Sequence, residues 1–84
     1  MNRAIIFATY DKAAGRYGQV VLDISEVVAK RNFLYAISES GAMQYICKDL
    51  ELHMIGEIDL TTGDISPVMP HQLVCRGEEY ESKR

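Results

Sequence analysis

A strand, a tight glycine turn and a second strand are written into the stretch Leu52 to Val68, and no other stretch constrains the fold as much. Leu52, Met54, Ile58 and Leu60 share one parity and are expected on one side of a sheet, with His53, Glu57 and Asp59 on the other. Gly63 stands where a short hairpin loop needs a residue with positive φ. Asp59 can accept hydrogen bonds from the turn amides, and Thr61 and Thr62 can do so more weakly. Pro67 is expected to cut the second strand short.

The rest of the chain is arranged around that hairpin. Ala4 to Tyr10 is apolar on both parities, which fits a central strand. Residues 11–18 read as a loop punctuated by Gly15 and Gly18. Gln19 to Leu22 is a short β-prone piece, read as an edge strand that either pairs with the first or leads into the helix. A helix follows from about Glu26 to Glu39, capped by Asp23 or Ser25, with Ala29, Phe33, Ala36 and Ile37 on its apolar stripe. Ala42 to Leu50 reads as a loop or a short helical turn. Residues 71–75 read as a helical turn or a short strand.

The sum is an α+β fold of order β-(β)-α-β-β: a small three- to four-stranded sheet with one main helix packed on one face. The helical crossover predicts that the long hairpin strand runs parallel to the first. Ile6 and Ile55 are expected on the face away from the helix. Its cover would be Met43, Tyr45 and Ile46, the Pro70 segment or a second protomer. Residues 1–76 form the single domain and 77–84 a polar C-terminal tail.

Eighty-four residues allow one domain with a modest core, to which an oligomer interface can add. Nine basic and twelve acidic residues leave a net charge of −3, which excludes a histone-like wrapping protein but not a local basic patch. Cys47 and Cys75 lack metal-ligand spacing and point to a reducing, cytosolic setting. The apolar run after Met1 is too short for a signal sequence or a membrane span.

Three blocks then carry a resemblance. Residues 7–18 are similar to the pattern Y-A-x-Y-D-x-K-A…Y-G, and residues 25–33 to N-E-A-V-A-x-R-x-F. Residues 49–59 with Thr62 and Gly63 are similar to D-Y-x-L-Y-x-x-G-x-F-D…T-G. In this order they resemble the small non-structural protein of gokushovirus-type microviruses, which are single-stranded DNA phages. Gln19-Val20 stands where that family has a proline pair, and Cys47-Lys48 where it has Pro-Glu. The resemblance implies a phage accessory protein in the host cytoplasm that acts in single-stranded genome synthesis or packaging.

The residues offer a matching chemistry. Arg31, which aligns with the family's helix arginine, adjoins Lys30, and Lys12 and Arg16 from the first loop can join them at phosphates. Tyr17, with Tyr10 and Tyr35, can offer faces for unpaired bases. The expected nucleic-acid site is therefore Lys12, Arg16, Tyr17, Lys30 and Arg31. The competing reading of these residues is a solvated helix face and ordinary tyrosines at the core edge.

A His53, Glu57 and Asp59 stripe is possible on one strand face, but a polar sheet face is the preferred reading, and the family has an aromatic residue at position 53. Cys47 is read as an inert buried thiol. The chain holds no Walker loop, dinucleotide turn, Gly-x-Ser-x-Gly or Cys-x-x-Cys, so no enzymatic activity, cofactor or metal is expected. The alternative function is a non-enzymatic interaction module: a dimeric regulator of a phage or host replication, capsid or defence protein. Glu78, Glu79 and Glu81 would suit a basic partner surface. The candidate partners are thus single-stranded DNA, phage or host proteins and a second copy of the chain, with no membrane.

Overall fold

The computed structural model describes residues 2–39 and 47–79. Four strands and one helix follow one another: β1 (Arg3–Asp11), β2 (Arg16–Asp23), α1 (Glu26–Glu39), β3 (Leu50–Asp59) and β4 (Ile65–Arg76). A short 3-10 turn, Cys47–Asp49, leads into β3. The strands form one antiparallel sheet in the order β2-β1-β3-β4, so the α+β class read from the sequence holds, with four strands.

The direction of β3 differs from expectation. β2 is a full strand that pairs antiparallel to β1, so the chain has already reversed when it enters α1. The helix therefore returns it parallel to β2 and antiparallel to β1, which lies between them. The second strand of the long hairpin is also not cut short at Pro67. It continues through Pro67 and Pro70 to Arg76, because β4 is an edge strand and proline costs a ladder bond only where a neighbour needs its N–H.

Both sheet hairpins turn on the same device. Asp11 accepts from the amides of Ala13 and Ala14, and its carbonyl accepts from Gly15, which has φ +69°. Asp59 accepts from Thr61 and Thr62, and its carbonyl accepts from Gly63, at φ +82°. An aspartate four residues before a left-handed glycine thus closes each loop. Of the two cap candidates, Ser25 does the work: its Oγ accepts from Val28 N at 3.3 Å. Asp23 instead accepts from the Asn32 side chain.

Helix α1 covers one face, and on the other Ala4, Ile6 and Ala8 are buried as well. Ala29, Phe33, Leu34 and Ile37 pack with Phe7, Leu50, Leu52, Cys47 and Cys75, and Ile5 and Met54 close the edge. Phe7, at 0% exposure, sits at the centre, where loss of its ring would cost about 3–5 kcal/mol. Cys47 and Cys75 are buried thiols in this cluster.

Irregularities shape the sheet. Gln19, with φ +44°, is the extra residue of a bulge in β2. Ile55 has no partner on β1, and residues 68–71 of β4 lie opposite that gap. Bulges bend and twist their strands. Gly56 suits this point, because a Cβ there would lie 3.0 Å from the Ser66 carbonyl oxygen, which would have to give way by a few tenths of an ångström. The segment from 77 does not behave as a loose tail at its start. Gly77 is buried and donates to the Leu50 carbonyl, and Glu79 holds both Lys30 and the Arg76 amide. The expectations for residues 42–46 and 80–84 lie outside the described residues.

Candidate functional site

The bulge at Ile55 decides which side chains share a face. Leu50, Leu52 and Met54 point toward α1 with their partners on β1, Asp11, Thr9 and Phe7. Beyond Ile55 the parity inverts: Glu57 pairs with Ile5 and Asp59 with Arg3 on that same side, whereas Ile58 pairs with Ala4 on the opposite one. The His53, Glu57 and Asp59 stripe of strict alternation therefore does not exist. Glu57 instead forms an ion pair with Arg3 at 3.4 Å.

His53 finds its partners in the other direction, on the face that the helix leaves open. Its Nε2 lies 2.9 Å from Glu51 Oε1, and its Nδ1 lies 2.8 Å from the Tyr17 hydroxyl. That hydroxyl also lies 2.9 Å from His71 Nδ1. Tyr17 is on one edge strand and His71 on the other, so a single side chain spans the open face from edge to edge. The curl imposed by the bulges makes this reach possible.

Rings and charges surround the chain of hydrogen bonds. Tyr10 stacks on His53 with centroids 5.4 Å apart and packs against Tyr17 at 4.8 Å. Tyr17 meets His53 and His71 edge-on. Glu51 is largely buried and is approached by Lys12 at 3.8 Å and Arg76 at 3.9 Å. Tyr17 remains 39% exposed, and His71 is exposed. Tyr17 and His71 are thus the exposed rings, while Tyr10 and His53 are partly buried beside them, and Lys12 and Arg76 flank Glu51. No group of three or more His, Cys, Asp or Glu among the described residues could hold a metal ion.

The five residues expected at a nucleic-acid site are divided by the fold. Lys12 and Tyr17 belong to the open face. Arg16 pairs in register with Asp11 and so lies on the helix side, where it lines a shallow cleft of about 210 Å³ with Thr9, Gly18, Gln19 and Leu50. Lys30 is on the helix, bonded to Glu79 at 3.1 Å. That contact raises the Lys30 pKa, first through the hydrogen bond to Glu79 and then through its charge. Glu79 is held below the usual carboxylate range, first by the Arg76 amide and then by Lys30. Arg31 is exposed on α1, against the Asn32 side chain.

Sequence reasoning missed Glu51, His71 and Arg76. The pair Glu51 and His53 was available from alternation alone, two residues apart on one strand. His71 was hidden because residues 71–75 read equally as a helical turn or a short strand, which leaves the facing of its side chain open.

A second cleft, of about 380 Å³, lies between α1 and β2, lined by Val21, Ala29, Asn32, Phe33 and Leu52 among others. No helix among the described residues is long and apolar enough to cross a membrane. No curated protein and no solved structure matches the chain. The family model described as phage ORF5 protein matches residues 4–80. That match takes in the helix, the strands but for Arg3 at the start of β1, and the whole open-face cluster, and the chain belongs to the phage ORF5 protein family.

Proposed function

We propose that this phage protein is the non-structural accessory protein of a gokushovirus-type microvirus and binds single-stranded DNA in the host cytoplasm, without catalysing a reaction. The observation that supports this reading best is the open sheet face: Tyr10, Tyr17, His53 and His71 form a contiguous set of rings with Lys12 and Arg76 beside them. An antiparallel sheet with a helix on one side and rings on the other offers stacking surface to unpaired bases. Cations at its rim draw the phosphates. On this reading binding lies on Lys12 and Tyr17, and away from Lys30 and Arg31 on the helix side.

The test is a titration with labelled oligothymidylate at about 0.02 M and about 0.2 M salt. Binding is expected at low salt and is expected to weaken at high salt. Tyr17→Ala should weaken it by about tenfold or more, the effect of losing one stacked base. Arg31→Ala should leave it nearly unchanged. Absence of binding at low salt would overturn the reading.

One observation favours a second reading, an interaction module. Val20 and Leu22 on β2, and Ile65, Met69 and Leu73 on β4, are exposed apolar residues along the two edge strands. A partner protein or a second copy of the chain would cover such residues. Recovery of a protein partner from infected cells regardless of nuclease treatment would support this reading over the first.

A further inference from the structure

We infer that His71 is a proton-linked phosphate contact: its outward Nε2 becomes a hydrogen-bond donor only when the Glu51–His53–Tyr17–His71 chain takes up one proton from solvent. This rests on the reading of the open face as the strand-binding surface and states how that surface is regulated.

The argument is a count of protons. A tyrosine hydroxyl carries one hydrogen, so it donates to one partner and accepts from the other. Tyr17 has an imidazole Nδ1 on each side, at 2.8 and 2.9 Å. Glu51, a carboxylate between Lys12 and Arg76, accepts only, so His53 Nε2 carries a hydrogen toward it. A neutral His53 then has a bare Nδ1, which must accept from Tyr17. Tyr17 in turn accepts from His71 Nδ1–H. In a neutral His71 this leaves Nε2 without hydrogen. That atom has no hydrogen bond among the described residues, and the residue is exposed. At neutrality the outer edge of His71 is therefore an acceptor, which a phosphate oxygen cannot use.

One proton reverses this. Placed on His53, it makes Nδ1 a donor to Tyr17, the hydroxyl turns to donate to His71 Nδ1, and the hydrogen of His71 moves to Nε2. Placed on His71 directly, it has the same result at the outer edge. Either way the ligand meets a donor, and one proton is taken up with each phosphate bound at this position. The groups facing the cluster are Tyr10 from β1, Lys12 from the first loop, Tyr17 from β2, Glu51 and His53 from β3 and Arg76 from β4. Glu51 is the only carboxylate ion-paired to it among the described residues.

Tyr17→Phe keeps the ring and deletes the relay, freeing His71 to carry its hydrogen on Nε2 without added charge. Affinity for oligothymidylate would be measured for both proteins at about pH 6 and about pH 8, across the range in which histidine titrates. The wild type is expected to bind about tenfold more tightly at the lower pH, within the tenfold per unit that uptake of one proton allows. Tyr17→Phe is expected to bind more tightly than the wild type at about pH 8 and to show the smaller pH dependence. A merely structural hydroxyl would make it weaker at both, and that result, or an unchanged pH dependence, overturns the inference.

Two further readouts do not need the strand. Heteronuclear NMR of the imidazole nitrogens in the free protein should find hydrogen on His53 Nε2 and His71 Nδ1 at the higher pH. The opposite tautomer of His71 contradicts the relay. Inorganic phosphate at the lower pH should shift the His71 resonances, and no shift contradicts the phosphate contact. If oligothymidylate fails to bind in every condition, the functional reading falls, while these two readouts still decide the relay.

Discussion

Tyr17 and Glu79 show how single side chains close distances that the backbone leaves open. Tyr17 joins the two edge strands across the open face, and Glu79 ties the end of β4 to α1 through Lys30 and the Arg76 amide. The second tie has a pH signature. The pKa of Glu79 is lowered in the folded protein, so its contribution is present above the ordinary carboxylate range and is lost as pH falls through the folded value. The two side chains are 38% and 35% exposed, so screening keeps the effect small. Amide exchange should report it: protection around Arg76 to Glu79 is expected to fall between about pH 5 and about pH 3 in the wild type. In Glu79→Gln that step should be absent. Equal acid sensitivity in both proteins would mean that the tie does not form.

At the scale of elements, the chain was most legible where local chemistry and period agree. The helix from Glu26 to Glu39 follows from the spacing of Ala29, Phe33 and Ile37 and from the Ser25 cap. The two-sided apolar run of β1 announces a central strand, and Gly63 announces its turn. Legibility stopped at the bulges. Alternation has no sign for an extra residue, so Ile55 inverted the faces of Glu57 and Asp59 unseen. The proline rule also hid the length of β4, because a sequence does not say which strand will lie at an edge. Nor did it show that Gly77 is fixed by its neighbours. An added Cβ there would fall inside the Cys47 carbonyl, a backbone atom that cannot swing aside. Gly77→Ala is therefore expected to destabilise the fold by about 2 kcal/mol or more, read as a lower urea midpoint. An unchanged midpoint would show that the 3-10 turn at Cys47–Asp49 yields freely.

Across the whole molecule, the sheet has two unlike faces. One is closed by α1 over the apolar cluster, and the other carries the rings, the histidines and the Glu51 hub between two cations. The net charge of −3 does not oppose binding at such a face, since the strand responds to the local arrangement within a Debye length. The edges are blunted against pairing with other sheets: β2 by the Gln19 bulge, β4 by Pro67 and Pro70. The division of Lys12 and Tyr17 from Lys30 and Arg31 turns function into a question of which side of the sheet is occupied. Backbone amide shifts, followed by NMR as oligothymidylate is added at low salt, answer it most directly. The account predicts that the shifts gather at Tyr10, Lys12, Tyr17, His53 and His71. Shifts confined to α1 around Lys30 and Arg31, or none at all, would contradict it.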